Sequence, residues 1–205
     1  SQDPPVRRAA IAAIGRLGDA TSVPVLLRLL AAAEKDEQPV IVDALTRLRG
    51  PEVDAALVQS PQPETIRALV ARGAKSAVPA LFALAETGNG DAISALGKLA
   101  DAADGPRLMG LLDKAEDRQP VEAALAALYR RAGDVQAVAD AAAQASGPRK
   151  ASLLAVLGVL GGDRALAVLR EALKGGDADA KLAAVRALTD WEDGAPLADL
   201  QAVAE

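Results

Sequence analysis

The 205-residue chain has no cysteine and no histidine, and it contains one phenylalanine, one tryptophan and one tyrosine. The first two absences exclude thiol nucleophiles, disulfides, Cys/His zinc sites and His-based proton shuttles, including the Ser-His-Asp triad. The shortage of aromatic residues argues against a β-sandwich and leaves no material for base-stacking or carbohydrate-binding platforms. A chain without cysteine fits any redox environment, so a cytoplasmic and a periplasmic location are both compatible.

The chain is also short of positive charge, because 23 Lys and Arg residues stand against 28 Asp and Glu residues, for a formal net charge of −5. Such a surface repels phosphate backbones and anionic lipid headgroups. No run reaches the roughly 18 consecutive apolar residues of a membrane span, and Ser1–Arg8 lacks the apolar stretch of a signal peptide. We therefore expect neither a nucleic-acid partner nor a membrane partner.

What the chain does contain is Ala, Leu, Val and Ile, which supply almost all of its 51% hydrophobic residues. One seven-residue phrase occurs seven times: an apolar residue, any residue, a small residue, an apolar residue, two further residues and a large residue. Successive copies lie about 29 residues apart on average. The copies are Ile11–Leu17, Val42–Leu48, Ile66–Arg72, Ile93–Leu99, Leu125–Arg131, Leu154–Leu160 and Val185–Trp191.

The first, fourth and seventh positions of the phrase fall on one helix face, so each copy predicts the second half of an amphipathic helix, here called helix A. A second apolar pattern follows and predicts helix B, which carries Pro24, Pro79 or Pro106 in its first turn in three of the repeats. Glycine after a helix A favours the left-handed conformation that ends many helices. These glycines are Gly18, Gly50, Gly73, Gly133, Gly161 and Gly194.

Polar residues lie where helix caps and turns are expected. The candidate N-caps are Asp134 and Asp163 before B helices and Asp3, Ser146 and Asp177 before A helices. The acidic groups at turns are Glu34, Asp36 and Glu37, then Asp177 and Asp179, then Asp190, Glu192 and Asp193. None of the groups has the alternate spacing of a calcium loop, so we expect capping and solvation of them.

A helical pair of about 29 residues leaves an apolar face that only the next pair can bury. The sequence therefore predicts an all-α fold, an α-solenoid of about seven two-helix repeats forming one domain over residues 1–205. The second and third repeats are short, and the helix B near Glu52–Ser60 has room for about two turns. The predicted repeats are 1–34, 35–60, 61–86, 87–114, 115–145, 146–174 and 175–205.

Residues Val6–Asp19 (VRRAAIAAIGRLGD), followed by Val23–Leu27 (VPVLL), resemble the bacterial HEAT repeat of the phycobilisome-lyase type. The resemblance implies an armadillo-like, right-handed superhelix with A helices on the convex side and B helices lining the concave side. Leu188–Pro196 is similar to HEAT segments in large multidomain bacterial proteins that carry 3-keto-disaccharide-hydrolase-type or cytochrome-like modules. With the repeat-like start at Asp3–Arg7, these likenesses predict a piece of a larger protein.

The surface register of the B helices is the best candidate for a binding surface. It carries Arg28, Arg107, Asp140, Arg164 and Arg170, which would form a modestly basic inner stripe unless they are ordinary solvated positions. The pattern indicates a non-enzymatic scaffold, without a cofactor or metal, that binds a protein segment or a neighbouring domain. The resemblance leaves an alternative, a chromophore-lyase-like accessory subunit or an accessory module of a bacterial polysaccharide- or sugar-processing protein.

The three aromatic residues are expected to pack rather than to bind. Trp191 replaces the leucine that ends the phrase, and Phe82 falls on a predicted helix B. Tyr129 takes a register that holds Gly, Thr or Val in other copies, so we expect it to be partly exposed. The glycine-containing stretch Gly90–Lys98 lacks the spacing of a phosphate-binding loop and is predicted to be helical.

Overall fold

The computed structural model describes residues 3–175, 177–189, 191 and 194–204. Over these residues the protein is all-helical, with fourteen α-helices, short 3-10 turns and no strand. The helices are α1 (Pro4–Leu17), α2 (Val23–Ala31), α3 (Gln38–Arg47), α4 (Glu52–Val58), α5 (Pro63–Arg72), α6 (Val78–Ala85), α7 (Gly90–Leu99), α8 (Gly105–Gly110), α9 (Gln119–Ala132), α10 (Val135–Gln144), α11 (Gly147–Leu160), α12 (Gly162–Lys174), α13 (Ala178–Thr189) and α14 (Leu197–Ala204).

The seven-residue phrases lie on the odd-numbered helices, the A helices, and each is followed by an even-numbered B helix. The predicted alternation of A and B helices is therefore confirmed, and α4 spans only the two turns expected of it. No helix of the described ranges is both long and apolar enough to cross a membrane.

The chain divides into two compact units, Ser1–Leu84 (unit 1) and Ala85–Glu205 (unit 2). In unit 1, α3 packs between α1 and α5. In unit 2, α9 packs between α7 and α11, and α11 also packs against α13. The helices of each unit thus contact mainly their neighbours along the chain, an arrangement compatible with an α-solenoid. The single domain and the seven repeat boundaries stay predictions.

In three of the seven copies, close approach of the A helices depends on glycine at the fifth position of the phrase. A Cβ atom on Gly15 would lie 2.6 Å from the Cα of Ala44 on the next A helix, and one on Gly158 would lie 2.7 Å from the Cβ of Ala187. Neither position has room for a side chain, so the helix backbones can lie against each other. The richness in alanine and glycine is a packing requirement of this fold.

Several caps are made as predicted and others are not. Asp134 accepts a hydrogen bond from the Ala137 amide at 3.0 Å, and Asp177 accepts two from the amides of Asp179 and Ala180. Asp163 is wrong as a cap, because α12 begins one residue earlier and has Gly161 at its N-cap. The N-cap positions of α1 and α11 are occupied by Asp3 and Ser146, whose side chains make no capping hydrogen bond.

One of the three acidic turns carries ion pairs, and another lies outside the described residues. Glu37 pairs with Arg7 at 2.9 Å and Asp36 pairs with Arg8 at 2.7 Å, so this turn joins α1 to the start of α3. Asp190, Glu192 and Asp193 lie outside the described residues.

The glycines that end A helices act in two different ways. Gly73 and Gly133 are left-handed, with φ of 66° and 68°, as predicted. Gly18 is extended instead, with φ of −81°, so the left-handed prediction is wrong there. A Cβ on Gly18 would collide with the Ser22 hydroxyl and the Ile14 carbonyl oxygen, so this position requires glycine for space.

The three aromatic residues differ in burial. Phe82 is buried, Trp191 is half-buried, and Tyr129 is only 2% exposed. The expectation of a partly exposed Tyr129 was wrong because Gly105, at the start of α8, has no side chain and leaves room for the phenol ring. Burial, and then the nearby charge of Asp134, raises the pKa of the Tyr129 hydroxyl.

Candidate partner-binding surface

Four of the five predicted surface residues lie on B helices of unit 2. Arg107 lies on α8, Asp140 on α10, and Arg164 and Arg170 on α12. All are exposed or half-exposed. Arg28 lies on α2 of unit 1, where it is exposed and forms no ion pair with a described residue.

The three predicted arginines of unit 2 do not stand alone, since each pairs with a carboxylate that belongs to a different helix or turn. Arg164 faces Asp140 at 3.9 Å. The Nη2 of Arg107 lies 3.1 Å from the Oε1 of Glu86, the residue after α6. Together with Arg170 and its partner on α14, these six residues define the B-helix charge row, namely Glu86, Arg107, Asp140, Arg164, Arg170 and Asp199.

Arg170 makes the tightest contacts in the row. Its Nε donates to the Oδ2 of Asp199 at 2.8 Å, and its Nη2 donates to the Ala195 carbonyl at 3.0 Å. The pair therefore fastens the start of α14 to α12. Asp199 and Glu86 were not among the predicted surface residues, although Asp199 lies 29 residues after Arg170, one average repeat length.

The Arg164–Asp140 pair of the row is better suited to recognition than to stabilising the fold. The side chains of Arg164 and Asp140 are 54% and 66% exposed. Exposed pairs of this kind contribute about 0–1 kcal/mol. Because little free energy is lost when such a pair separates, both side chains can form new ion pairs with charged groups of a partner.

Two other arginines serve the helix ends. Arg72 donates to the carbonyls of Thr46, Leu48 and Gly50, at the end of α3, and its Nε lies 2.6 Å from Asp54. These carbonyls have no partner within their own helix, so a cation there is favourable.

Arg131 repeats this arrangement in unit 2. Its Nη1 donates to the Gly97 carbonyl at 2.6 Å and its Nη2 to the Ala100 carbonyl, both at the end of α7. Both arginines occupy the seventh position of the phrase, where other copies have Leu or Trp. Arg in place of Leu at this position is therefore a sequence signal for a helix cap, which the description of the position as a large residue did not include.

A second surface lies over α11. A cleft of about 1120 Å³ runs along its small residues Ala151, Ala155 and Gly158, with Arg186 of α13 and Trp191 among its lining. We call it the α11 cleft. Two further lining arginines are committed to backbone carbonyls, Arg130 to Val159 and Arg118 to Leu112.

Within the described ranges no group of three or more acidic residues could hold a metal ion. The pKa of Asp19 is lowered by hydrogen bonds from the hydroxyl and amide of Thr21, in the turn that precedes α2 of unit 1.

No protein-family model, no curated protein and no solved structure matches this chain. The resemblance to HEAT repeats therefore stays a prediction drawn from the residues.

Proposed function

We propose that the chain is a non-enzymatic interaction scaffold built of HEAT-like repeats in a right-handed α-solenoid, which holds a protein segment or a neighbouring domain on its B-helix surface. The observation that carries this proposal is the B-helix charge row, in which exposed groups of both signs follow one another over successive B helices of unit 2. Such a row fits an extended polypeptide that carries both signs of charge.

The physical advantage of the row is that it is preformed. Glycine–alanine contacts fix the A helices, for example Gly158 against Ala187, and the B helices are held on them. A partner then binds without ordering the scaffold, which removes part of the entropic cost of association. Because the row is built from exposed charges, we expect reversible binding that weakens with salt.

Site-specific photo-crosslinking tests this proposal in the cells that make the protein. A photo-reactive residue at position 107 or 164 is expected to capture a protein partner. Matched positions on the exposed side of α9, Ala123 and Ala127, are expected to capture none. Equal capture from both sets, or none from positions 107 and 164, would contradict the proposal.

A charge swap separates binding from folding. Asp140→Arg combined with Arg164→Glu keeps an ion pair between α10 and α12 but reverses its direction. We expect thermal unfolding to change little, since an exposed pair contributes about 0–1 kcal/mol, while capture of the partner from position 107 falls. Full capture by the swapped chain would show that the row does not recognise the partner.

A further inference from the structure

An apolar face of α1 lies exposed in unit 1. Val6, Ala10, Ala13 and Leu17 are spaced by four, three and four residues, which places them on one side of the helix. Val6 is 53% exposed and Leu17 is 81% exposed. We call these four residues the α1 seam. The opposite side of α1, with Ile11 and Gly15, is buried towards α3.

In the next A helix, α3, the residues at the same phrase positions are buried. Ile41, Ala44 and Leu48 stand at the phrase positions that Ala10, Ala13 and Leu17 hold in α1. In and just after α3 all three are at most 3% exposed, and Ala44 lies against Gly15 of α1. The seam of α3 is therefore the surface by which that helix packs on its predecessor.

Unit 2 shows the same relationship at its own A helices. In α13, Ala184 and Ala187 occupy the register of Ala10 and Ala13. Ala184 is fully buried and Ala187 lies against Gly158 of α11. At the α1–α3 and α11–α13 interfaces, then, an alanine in the middle of the seam receives a glycine from the fifth phrase position of the preceding A helix, whereas at the α7–α9 interface Gly97 lies against Ala124, at the register of Ala10.

We infer that the α1 seam is a docking face for a helical hairpin of a partner protein, whose first helix is amphipathic and carries a glycine opposite Ala13. The seam continues the interface that α3 makes with α1, and it has the same small residue at its centre and larger apolar residues around it. A bulky residue opposite Ala13 would hold the helices apart and leave Val6 and Leu17 in water.

Charge beside the seam adds one more property of the partner. Arg16 precedes Leu17, is exposed and forms no ion pair with any described residue. In the existing interface Arg7 and Arg8 of α1 are matched by Glu37 and Asp36. We therefore expect an acidic residue of the partner near Arg16.

The test attaches a hairpin of known type to the full chain. A copy of residues 146–175, which contains α11 with Gly158 and then α12, is fused ahead of the chain through a flexible Gly/Ser linker. Such a linker supplies an effective concentration on the order of millimolar. Hydrogen exchange of the α1 amides is then compared with that of the chain without the extension.

The expected result is at least a tenfold slower exchange of the α1 amides in the extended chain. Gly158→Leu in the added hairpin is expected to remove this protection, and so is Ala13→Glu in α1. Unchanged exchange in the extended chain, or protection that survives both substitutions, would overturn the inference.

Sedimentation of the chain without the extension identifies the competing occupant, a second copy. The inference predicts a monomer over the accessible concentration range. A dimer that Ala13→Glu abolishes would show that the seam binds a second copy, and the partner hairpin would then be wrong.

Discussion

Glycine at the fifth phrase position decides how closely the A helices approach, and Gly97 shows the conflict between local preference and packing. Alanine forms helix better than glycine by about 1 kcal/mol. A Cβ at position 97 would, however, lie 2.8 Å from the Cα of Ala124 and 2.9 Å from its carbonyl oxygen. Both are backbone atoms, so the neighbouring helix would have to move as a whole. Packing outweighs propensity at this residue.

We predict that Gly97→Ala destabilises unit 2 by up to about 2 kcal/mol, since overpacking costs about 1–3 kcal/mol and better helix propensity returns about 1 kcal/mol. Gly110→Ala is the matched control, because nothing lies within 4 Å of the added Cβ. We expect the control to be stabilised or neutral. Urea unfolding followed by Trp191 fluorescence measures both, and equal effects of the two substitutions would contradict the packing argument.

Tyr129 gives a prediction on pH. Burial raises its pKa above the usual value of about 10, so the unfolded chain loses this proton at a lower pH than the folded one. The stability due to the neutral phenol is complete below about pH 10 and is lost as pH rises towards the folded pKa. Tyr129→Phe should flatten that loss.

The measurement is an absorbance titration of tyrosinate, which is specific because the chain has one tyrosine. Asp134→Asn, which removes the second cause of the shift, should lower the pKa of Tyr129 part of the way. A folded protein that titrates at the ordinary tyrosine pKa would refute the prediction.

At the scale of the helix, the periodic positions could be predicted, and so could some of the ends, such as those capped by Asp134 and Gly73. Phrase spacing located each pair of helices because burial repeats every three to four residues in a helix. The ends that could not be predicted depend on single side-chain contacts that the apolar spacing does not reveal, some of them with residues distant in sequence. The space beside Gly18 is taken by Ser22, and the end of α3 is completed by Arg72, 24 residues after Leu48. Such contacts leave little trace in local sequence.

We predict that Arg72→Met destabilises unit 1 by about 2–4 kcal/mol, because it leaves Asp54 and the carbonyls at the end of α3 without their donor. The two side chains of this pair are 11% and 17% exposed, so water compensates little. Arg72→Lys should lie in between, since an ammonium cannot reproduce the planar fork of a guanidinium.

Arg47→Met is the control for this prediction. Arg47 pairs with Asp43 on the same helix, and the side chains are 58% and 53% exposed. Its removal should cost about 0.5 kcal/mol or less. Urea unfolding followed by far-UV circular dichroism compares the variants, and similar losses at positions 47 and 72 would show that Arg72 is not a structural cap.

For the whole molecule, the important property is that helices contact mainly their neighbours along the chain. Within unit 2 the A helices pack in the order α7, α9, α11 and α13. The sequence could predict this order, because each helical pair leaves an apolar face that only the next pair can bury. The sequence could also place Arg107, Arg164 and Arg170 on B helices, but it could not identify the carboxylates with which they pair. Those pairings depend on how far each B helix is shifted along its axis relative to the next one. Because the repeats differ in length, this shift cannot be calculated from the sequence.

We predict that damage in such an array stays local. Gly158→Leu should raise hydrogen exchange in α11 and α13, whose contact it disrupts, and leave α7 close to its original protection. Hydrogen exchange with peptide resolution is the measurement. A uniform loss of protection from α7 to α13 would indicate one cooperative core instead.

The arginine caps also impose an order on events at the ribosome. Arg72 completes the end of α3, and Arg131 completes the end of α7, so each cap is synthesised after the helix that it serves. For Arg131 the delay is 34 residues, counted from the Gly97 carbonyl. Translation proceeds at about 5–20 residues per second. The carbonyls at each of these helix ends therefore lack their arginine donor for seconds after the helix has been synthesised.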